Sequence, residues 1–239
     1  MDQTPPIRPK RKPFPLPTGP LWLDRLQQSC LVILLVNWVF QGMRGMQRKE
    51  LGFRLGFGAA IAALCGGLAA GAGLPPLAAL AVGVFSGHSV NFLANGQFWV
   101  CARYCRRYRG SAARIAAASV ALASELAALP WLDEVAFIGS RARGGEPSDR
   151  SDIDLRLVFP PGVRGWWRTN LLLLRLRSRA LVQGLPLDLY AYDAPDALLR
   201  FDQDEPLLLA KDSHGRLRRM FARRAVDLEA RPAAQRRPA

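Results

Sequence analysis

Two aspartates separated by a single residue, Asp152 and Asp154, open an apolar run, and a Gly139-Ser140 turn closes an earlier one. Carboxylates two apart on an extended chain share a face, because strand side chains alternate. Like charges on one face repel, and a divalent cation between them relieves the repulsion. Mg²⁺, or Mn²⁺ in its place, takes oxygen ligands and commonly bridges carboxylates to substrate phosphates. Glycine in the turn lets a phosphate approach the backbone, where the Ser140 hydroxyl and local N–H groups can bind its oxygens. Further on, Leu187, Leu189 and Ala191 alternate with Asp188, Tyr190 and Tyr192. That alternation makes Asp188 the candidate third carboxylate. Three carboxylates can hold two cations, one on a triphosphate and one activating an acceptor hydroxyl for in-line attack. Arg141 and Arg143 follow the turn and are candidates to meet substrate charge.

These residues need a scaffold, and the pattern from residue 111 onward supplies one. Residues 111–129 read as an Ala-rich amphipathic helix, with Ser111 as its N-cap and Pro130 as its stop. Strands are expected near 134–138 and 153–159, a helix over 163–183, and a strand over 187–192. A short helix near 195–200 and a strand near 207–210 follow, then a His214-Gly215 turn and a final basic helix. The expectation is a small α+β domain over 111–225 with a mixed sheet and flanking helices. A disordered tail is expected over 226–239.

At this point a resemblance can be stated. Gly139-Ser140-Arg141-Ala142-Arg143-Gly144, taken with Ser151-Asp152-Ile153-Asp154-Leu155, resembles the minimal nucleotidyltransferase family of the DNA polymerase β superfamily. The likeness spans roughly residues 111–219. It implies transfer of a nucleoside monophosphate from a nucleoside triphosphate, ATP, to an acceptor hydroxyl, with release of pyrophosphate. Gly139 and Ser140 match the family's nucleotide-phosphate turn, Asp152 and Asp154 its metal ligands, and Asp188 its third acidic position. Soluble members of that family often work with a separate helical partner.

The first half of the chain has a different character. Half of the residues are hydrophobic, yet the formal net charge is +14. That combination suits a protein that meets a membrane or an anionic partner. Residues 55–74 are apolar, uncharged and rich in Gly and Ala; Pro75-Pro76 break the run, and a second apolar run extends to about residue 101. A bilayer core needs roughly 20 apolar residues per helix, so a transmembrane hairpin over 55–105 is expected. Gly58, Ala62, Gly66 and Ala70 recur every fourth position, a spacing that lets two helix backbones approach closely in lipid. Arg44, Arg48, Lys49 and Arg54 precede the hairpin, and Arg103, Arg106, Arg107 and Arg109 follow it. The positive-inside rule then places both ends, and the 111–225 domain, on the cytoplasmic side of the inner membrane.

Residues 21–54 include a shorter apolar segment, expected as a helix lying in the membrane interface with Trp22 and Trp38 at headgroup depth. Residues 1–20 read as a disordered basic, proline-rich arm. The four cysteines form no metal-ligand spacing and are expected to be reduced and unpaired. On the second apolar helix His88, Asn91 and Asn95 share one face at i, i+3 and i+7. Polar groups in lipid face protein or water, so these three are candidates for helix–helix hydrogen bonding, self-association, a membrane protein partner, or contact with a membrane-borne acceptor. Nucleic acid is a poor fit, because the arginines flank apolar segments or lie in tails and no aromatic-basic platform accompanies them. Two functions follow from these readings. One is a membrane-anchored nucleotidyltransferase; the other is a non-catalytic, regulatory nucleotide-binding subunit that docks on and scaffolds a membrane enzyme.

Overall fold

The computed structural model describes residues 20–43, 46–200 and 206–228. The expected arm at 1–19 and the end of the expected tail at 229–239 lie outside the described residues. The chain is α+β: a five-stranded mixed sheet with flanking helices, preceded by two long apolar helices.

The sheet has the order β3-β2-β1-β4-β5, formed by Leu187–Tyr192, Ile153–Val158, Glu134–Phe137, Leu207–Asp212 and Ala225–Asp227. β1 pairs antiparallel with β2 and β4, while β2–β3 and β4–β5 are parallel. The parallel β2–β3 step requires a crossover, which the helix α8 (Val163–Gln183) supplies. α8 ends at Gly184, whose φ of +70° makes the left-handed cap that suits glycine. Strand alternation sorts the side chains into two layers. Val135, Phe137, Ile153, Leu155, Leu157, Leu187, Leu189 and Leu208 form one buried face with α8 and with α6 (Ala112–Ala127). Each fully buried leucine there contributes roughly 1.5–3 kcal/mol. Ala136, Ile138, Val158, Tyr190, Tyr192 and Leu209 line the opposite face, and Asp154 and Asp188 belong to it by register.

The expected elements from 134 to 212 appear within a residue or two at their ends. β5 was not expected. Its three residues fall where a basic helix and tail were read; a strand this short has too few side chains to show alternation, and pairing with β4 defines it. The basic helix α9 (Arg216–Met220) precedes it.

On the N-terminal side, α1 (Leu21–Gln27) and α2 (Cys30–Phe40) precede α3 (Arg48–Gly71) and α4 (Pro76–Ala94). α3 and α4 are long and apolar enough to cross a bilayer, with mean hydropathies of 1.6 and 1.5 over their most apolar windows. Only 11% and 28% of those windows are buried in the chain, unlike the core helix of a soluble domain. The small-residue spacing acts within this hairpin. A Cβ on Gly83 would lie 2.5 Å from the Ala62 carbonyl oxygen, and one on Gly87 would lie 2.4 Å from that of Gly58. The two backbones therefore touch, and a larger residue at 83 or 87 would force them apart.

Three expectations change here. The second apolar run does not continue to residue 101: Gly96, with φ +74°, divides it, and the short helix α5 (Gln97–Ala102) turns away. The first long helix starts earlier than expected, at Arg48, and Glu50, Phe53 and Arg54 in its root are buried. The cysteines are not all unpaired, since Cys30 and Cys105 form a disulfide with a Cα–Cα distance of 4.9 Å, while Cys65 and Cys101 take no part in a disulfide.

The roots of α3 and α4 are anchored on the edge of the sheet domain. Glu50 pairs with Arg177 of α8 at 2.7 Å, both buried, and Arg177 also donates to the carbonyl of Leu189 on the edge strand. Trp99 Nε1 donates to the Leu181 carbonyl at 2.7 Å, Trp166 Nε1 to that of Lys49 at 2.8 Å, and Tyr190 Oη to that of Gly42 at 3.2 Å.

Candidate functional site

Register brings Asp154 and Asp188 together. They are directly opposed across the parallel β2–β3 pair, on the face away from α6 and α8. Pro186 stands just before β3, where its missing N–H costs no ladder bond, and its carbonyl accepts from Ile153 N at 2.9 Å. Asp152 lies one residue ahead of β2 rather than within it. It remains close enough for its charge to act on Asp154.

The glycine turn closes on the same carboxylate. Gly139 follows β1 with φ +74° and opens the helical turn α7 (Gly139–Ala142). A Cβ at residue 139 would lie 2.5 Å from Asp154 Oδ2. Both the backbone conformation and the neighbouring carboxylate therefore demand glycine here. Ser140 is half-buried in the same turn, and its carbonyl accepts from Gly145 N at 2.9 Å.

The electrostatics of this cluster are strained. Burial pushes the Asp154 carboxyl well above the ordinary carboxylate range, and the charges of Asp152 and Asp188 push it further. Arg156 and Arg103 oppose the shift without cancelling it. Arg156 stands two residues beyond Asp154, so it faces the same side of the sheet. It donates to Asp188 Oδ2 at 2.9 Å and to the Asp188 carbonyl at 2.8 Å, and its guanidinium lies 4.9 Å from the centre of the Tyr190 ring. Burial lowers the pKa of Arg156, but Asp188 and Asp154 outweigh that and hold it more firmly protonated than usual. Arg103, just past α5, pairs with Asp152 Oδ2.

The sequence reading assigned neither arginine to the site. Strand alternation carried a signal for Arg156. Arg103 carried none, being one of several arginines counted only as membrane-flanking charge. Among the described residues no three of His, Cys, Asp or Glu converge as a preformed metal cage, and Asp152 and Asp188 are each taken up by an arginine. Carboxylate oxygens are the ligands a hard divalent cation takes, and Asp154 is held against ionisation first by burial and then by the charges of Asp152 and Asp188.

The Arg141 guanidinium lies 5.2 Å from the centre of the Phe137 ring, on the helix-covered side of the sheet. It borders a cavity of about 510 Å³ between α6 and β4–β5. Arg143 is exposed in the turn after α7.

His88, Asn91 and Asn95 share a face as expected, and that face turns inward onto the end of α2. Asn91 Nδ2 donates to Gln41 Oε1 at 2.8 Å, and Asn95 Nδ2 to the Gln41 carbonyl at 2.7 Å. His88 Nε2 bonds the Trp38 carbonyl at 2.8 Å, Gln41 Nε2 donates to the His88 carbonyl at 2.8 Å, and Trp38 Nε1 donates to Ser89 Oγ at 3.1 Å. These bonds join helices of one chain, and Gln41 at their centre was not among the expected residues.

Compared with protein-family models, with curated proteins and with solved structures, the chain matches none.

Proposed function

We propose that the chain is a membrane-anchored nucleotidyltransferase of the minimal nucleotidyltransferase type, moving a nucleoside monophosphate from ATP to an acceptor hydroxyl at the membrane surface. The observation that carries this reading is the convergence of Gly139 and Asp188 on Asp154, with Asp152 adjacent. A structural role for so many like charges is a poor account, because nothing in packing rewards setting acids against one another. Asp152, Asp154 and Asp188 would hold Mg²⁺ or Mn²⁺, which when bound supplies positive charge to the triphosphate and to the attacking hydroxyl. Gly139 keeps space beside Asp154 for a phosphate, and Ser140 offers a hydroxyl and backbone N–H groups to its oxygens. Arg156 fixes Asp188 through its carboxylate and its carbonyl, so the third acid keeps one orientation.

The two exposed apolar helices support the membrane part of the reading. The arginines at both ends of the hairpin favour a cytoplasmic sheet domain, where nucleoside triphosphate is present. The Cys30–Cys105 bond points the other way, because disulfides persist chiefly in oxidising compartments. One observation favours the second reading, a non-catalytic regulatory subunit: arginines already neutralise Asp152 and Asp188.

An assay separates the two readings. Full-length protein in nanodiscs is incubated with labelled ATP, Mg²⁺ and a membrane extract. The enzyme transfers label to an acceptor, and the Asp152→Ala/Asp154→Ala variant loses at least about 10³-fold of that activity. Absence of transfer to any acceptor, with partner assembly unchanged in the variant, rejects the enzyme and supports the regulatory subunit.

A further inference from the structure

We propose that Arg103, delivered by the segment that leaves the membrane hairpin, is a positioning residue of this site: it holds Asp152 by charge and yields it to the divalent cation that arrives with nucleotide. The inference rests on reading Asp152, Asp154 and Asp188 as a metal site.

The contact between membrane segment and sheet domain is built from both sides. Arg103 is 5% exposed. Its guanidinium reaches Asp152 Oδ2 and donates to the Arg150 carbonyl at 3.2 Å, to Tyr104 Oη at 3.1 Å and to the Val100 carbonyl at 3.1 Å. Arg150 answers by donating to the carbonyls of Arg103 at 2.8 Å and Cys105 at 3.2 Å. One residue earlier, Asp149 Oδ1 accepts from Ala112 N at 2.9 Å, and Gly110 passes so close that a Cβ there would lie 1.8 Å from the Asp149 carbonyl oxygen. Cys105 is tied in turn to α2 through Cys30. The loop that carries Asp152 is thus fastened to the stretch between the membrane hairpin and α6.

Two features separate this pair from a permanent structural ion pair. Arg103 keeps three hydrogen bonds to other partners, so Asp152 can leave it without stranding a buried cation. Asp152 also acts on two neighbours at once, pairing with Arg103 while its charge bears on Asp154. A divalent cation between Asp152 and Asp154 relieves the second interaction while competing with the first. Arg156 differs, since it and Asp188 lie on adjacent strands of one sheet and it also bonds the Asp188 backbone. Arg103 therefore sets how readily Asp152 is released, and the membrane segment contributes a group to a site whose acids all come from the sheet domain.

The sign of one binding change tests the proposal. Full-length wild type, R103Q, R103K and D152N, each in nanodiscs, are titrated with Mn²⁺ alone, and the free-ion electron paramagnetic resonance signal is read. Removing a competing cation frees Asp152, so R103Q is expected to bind Mn²⁺ roughly tenfold more tightly than wild type. R103K keeps the charge but loses the planar fork, and roughly threefold tighter binding is expected. D152N should bind more weakly. A residue that only supports the loop would give the opposite sign, because a misplaced loop weakens the metal site. Unchanged or weaker binding in R103Q, beside a wild type that binds, overturns the role of Arg103 and leaves the metal site standing. If R103Q does not fold, the sign of the R103K change decides. A wild type that binds no Mn²⁺ overturns the metal-site reading and this inference with it.

Discussion

Asn91 and Asn95 in the hairpin and Asp154 and Asp188 in the sheet are polar side chains drawn away from water, yet their neighbours treat them differently. Around the asparagines, α2 brings Gln41, which bonds both of them through its side chain and its carbonyl. Around the aspartates, the sheet brings more acid: Asp188 opposes Asp154 in register and Asp152 adds its charge. The hairpin's polar groups hold helices together within the chain. The sheet's acids remain in conflict, which two arginines reduce and do not remove. Gln41 satisfies the amide nitrogens of both asparagines, while Asn91 Oδ1 and Asn95 Oδ1 are buried without a partner; these are neutral groups, whereas the acids set charge against charge, an arrangement that a bound cation relieves. The amide nitrogens on the polar helix face, where a partner or acceptor was expected, bond within the chain, and the proposed function is argued from the carboxylate face of the sheet.

The junction between the two regions is where the largest change in stability is expected. Glu50→Gln leaves Arg177 without its buried counter-charge and should cost about 3–5 kcal/mol. The fall in melting temperature of the full chain in nanodiscs measures it, with new protease cleavage near residues 41–50 as a second readout. A small effect would mean that the two regions are joined chiefly by the Trp99, Trp166 and Tyr190 hydrogen bonds.

A smaller and more local cost is expected at the turn. Gly139→Ala places a Cβ against Asp154 at a left-handed φ and should destabilise by about 1–3 kcal/mol. Label transfer should fall much further than this loss of folded protein explains, because Asp154 must shift. Transfer that falls only in proportion to folded protein would separate Gly139 from the site.

The smallest effect has the opposite sign and bears most sharply on the comparison. The carboxyl of Asp154 is raised, so the native state holds a proton that the unfolded chain has already released. Its contribution to stability is complete below the ordinary carboxylate value of 3.8 and is lost as pH rises through the raised native value. Without metal, the melting temperature should therefore decline across that window. Asp154→Asn should flatten the decline and melt a few degrees higher in chelator. A variant that melts lower would mean that its neighbours stabilise the Asp154 carboxyl, and the contrast between the regions would fail.

Much of the sheet domain was legible in the sequence, because its helices and strands carry clean periodicities. The alternation around Asp188 set it on the strand face away from Leu187 and Leu189 and made it the candidate third carboxylate before any pairing was known, and the Pro75-Pro76 break marked the hairpin. What stayed hidden was long-range. The disulfide joins cysteines that no local spacing links, and Arg103 looked like any other arginine at a membrane boundary. Gly96 divides the second apolar run where the chain leaves α4 to reach the edge strand; Asn95-Gly96 is a turn signal that the reading of one continuous run passed over. Arg141 sits beside the turn in sequence, yet its guanidinium lies against Phe137 and borders the cavity beside α6, a placement that its spacing from Gly139 did not show.

The central claim is that the carboxylate face performs nucleotidyl transfer, and the fate of two phosphates tests it most directly. ATP labelled at the α-phosphate and ATP labelled at the γ-phosphate are offered separately to full-length protein in nanodiscs, with Mg²⁺ and membrane extract. The account predicts that α-label moves to an acceptor, that γ-label leaves as pyrophosphate, and that both outcomes vanish in Asp154→Asn. Transfer of γ-label to the acceptor, or α-label transfer that survives in Asp154→Asn, would contradict it.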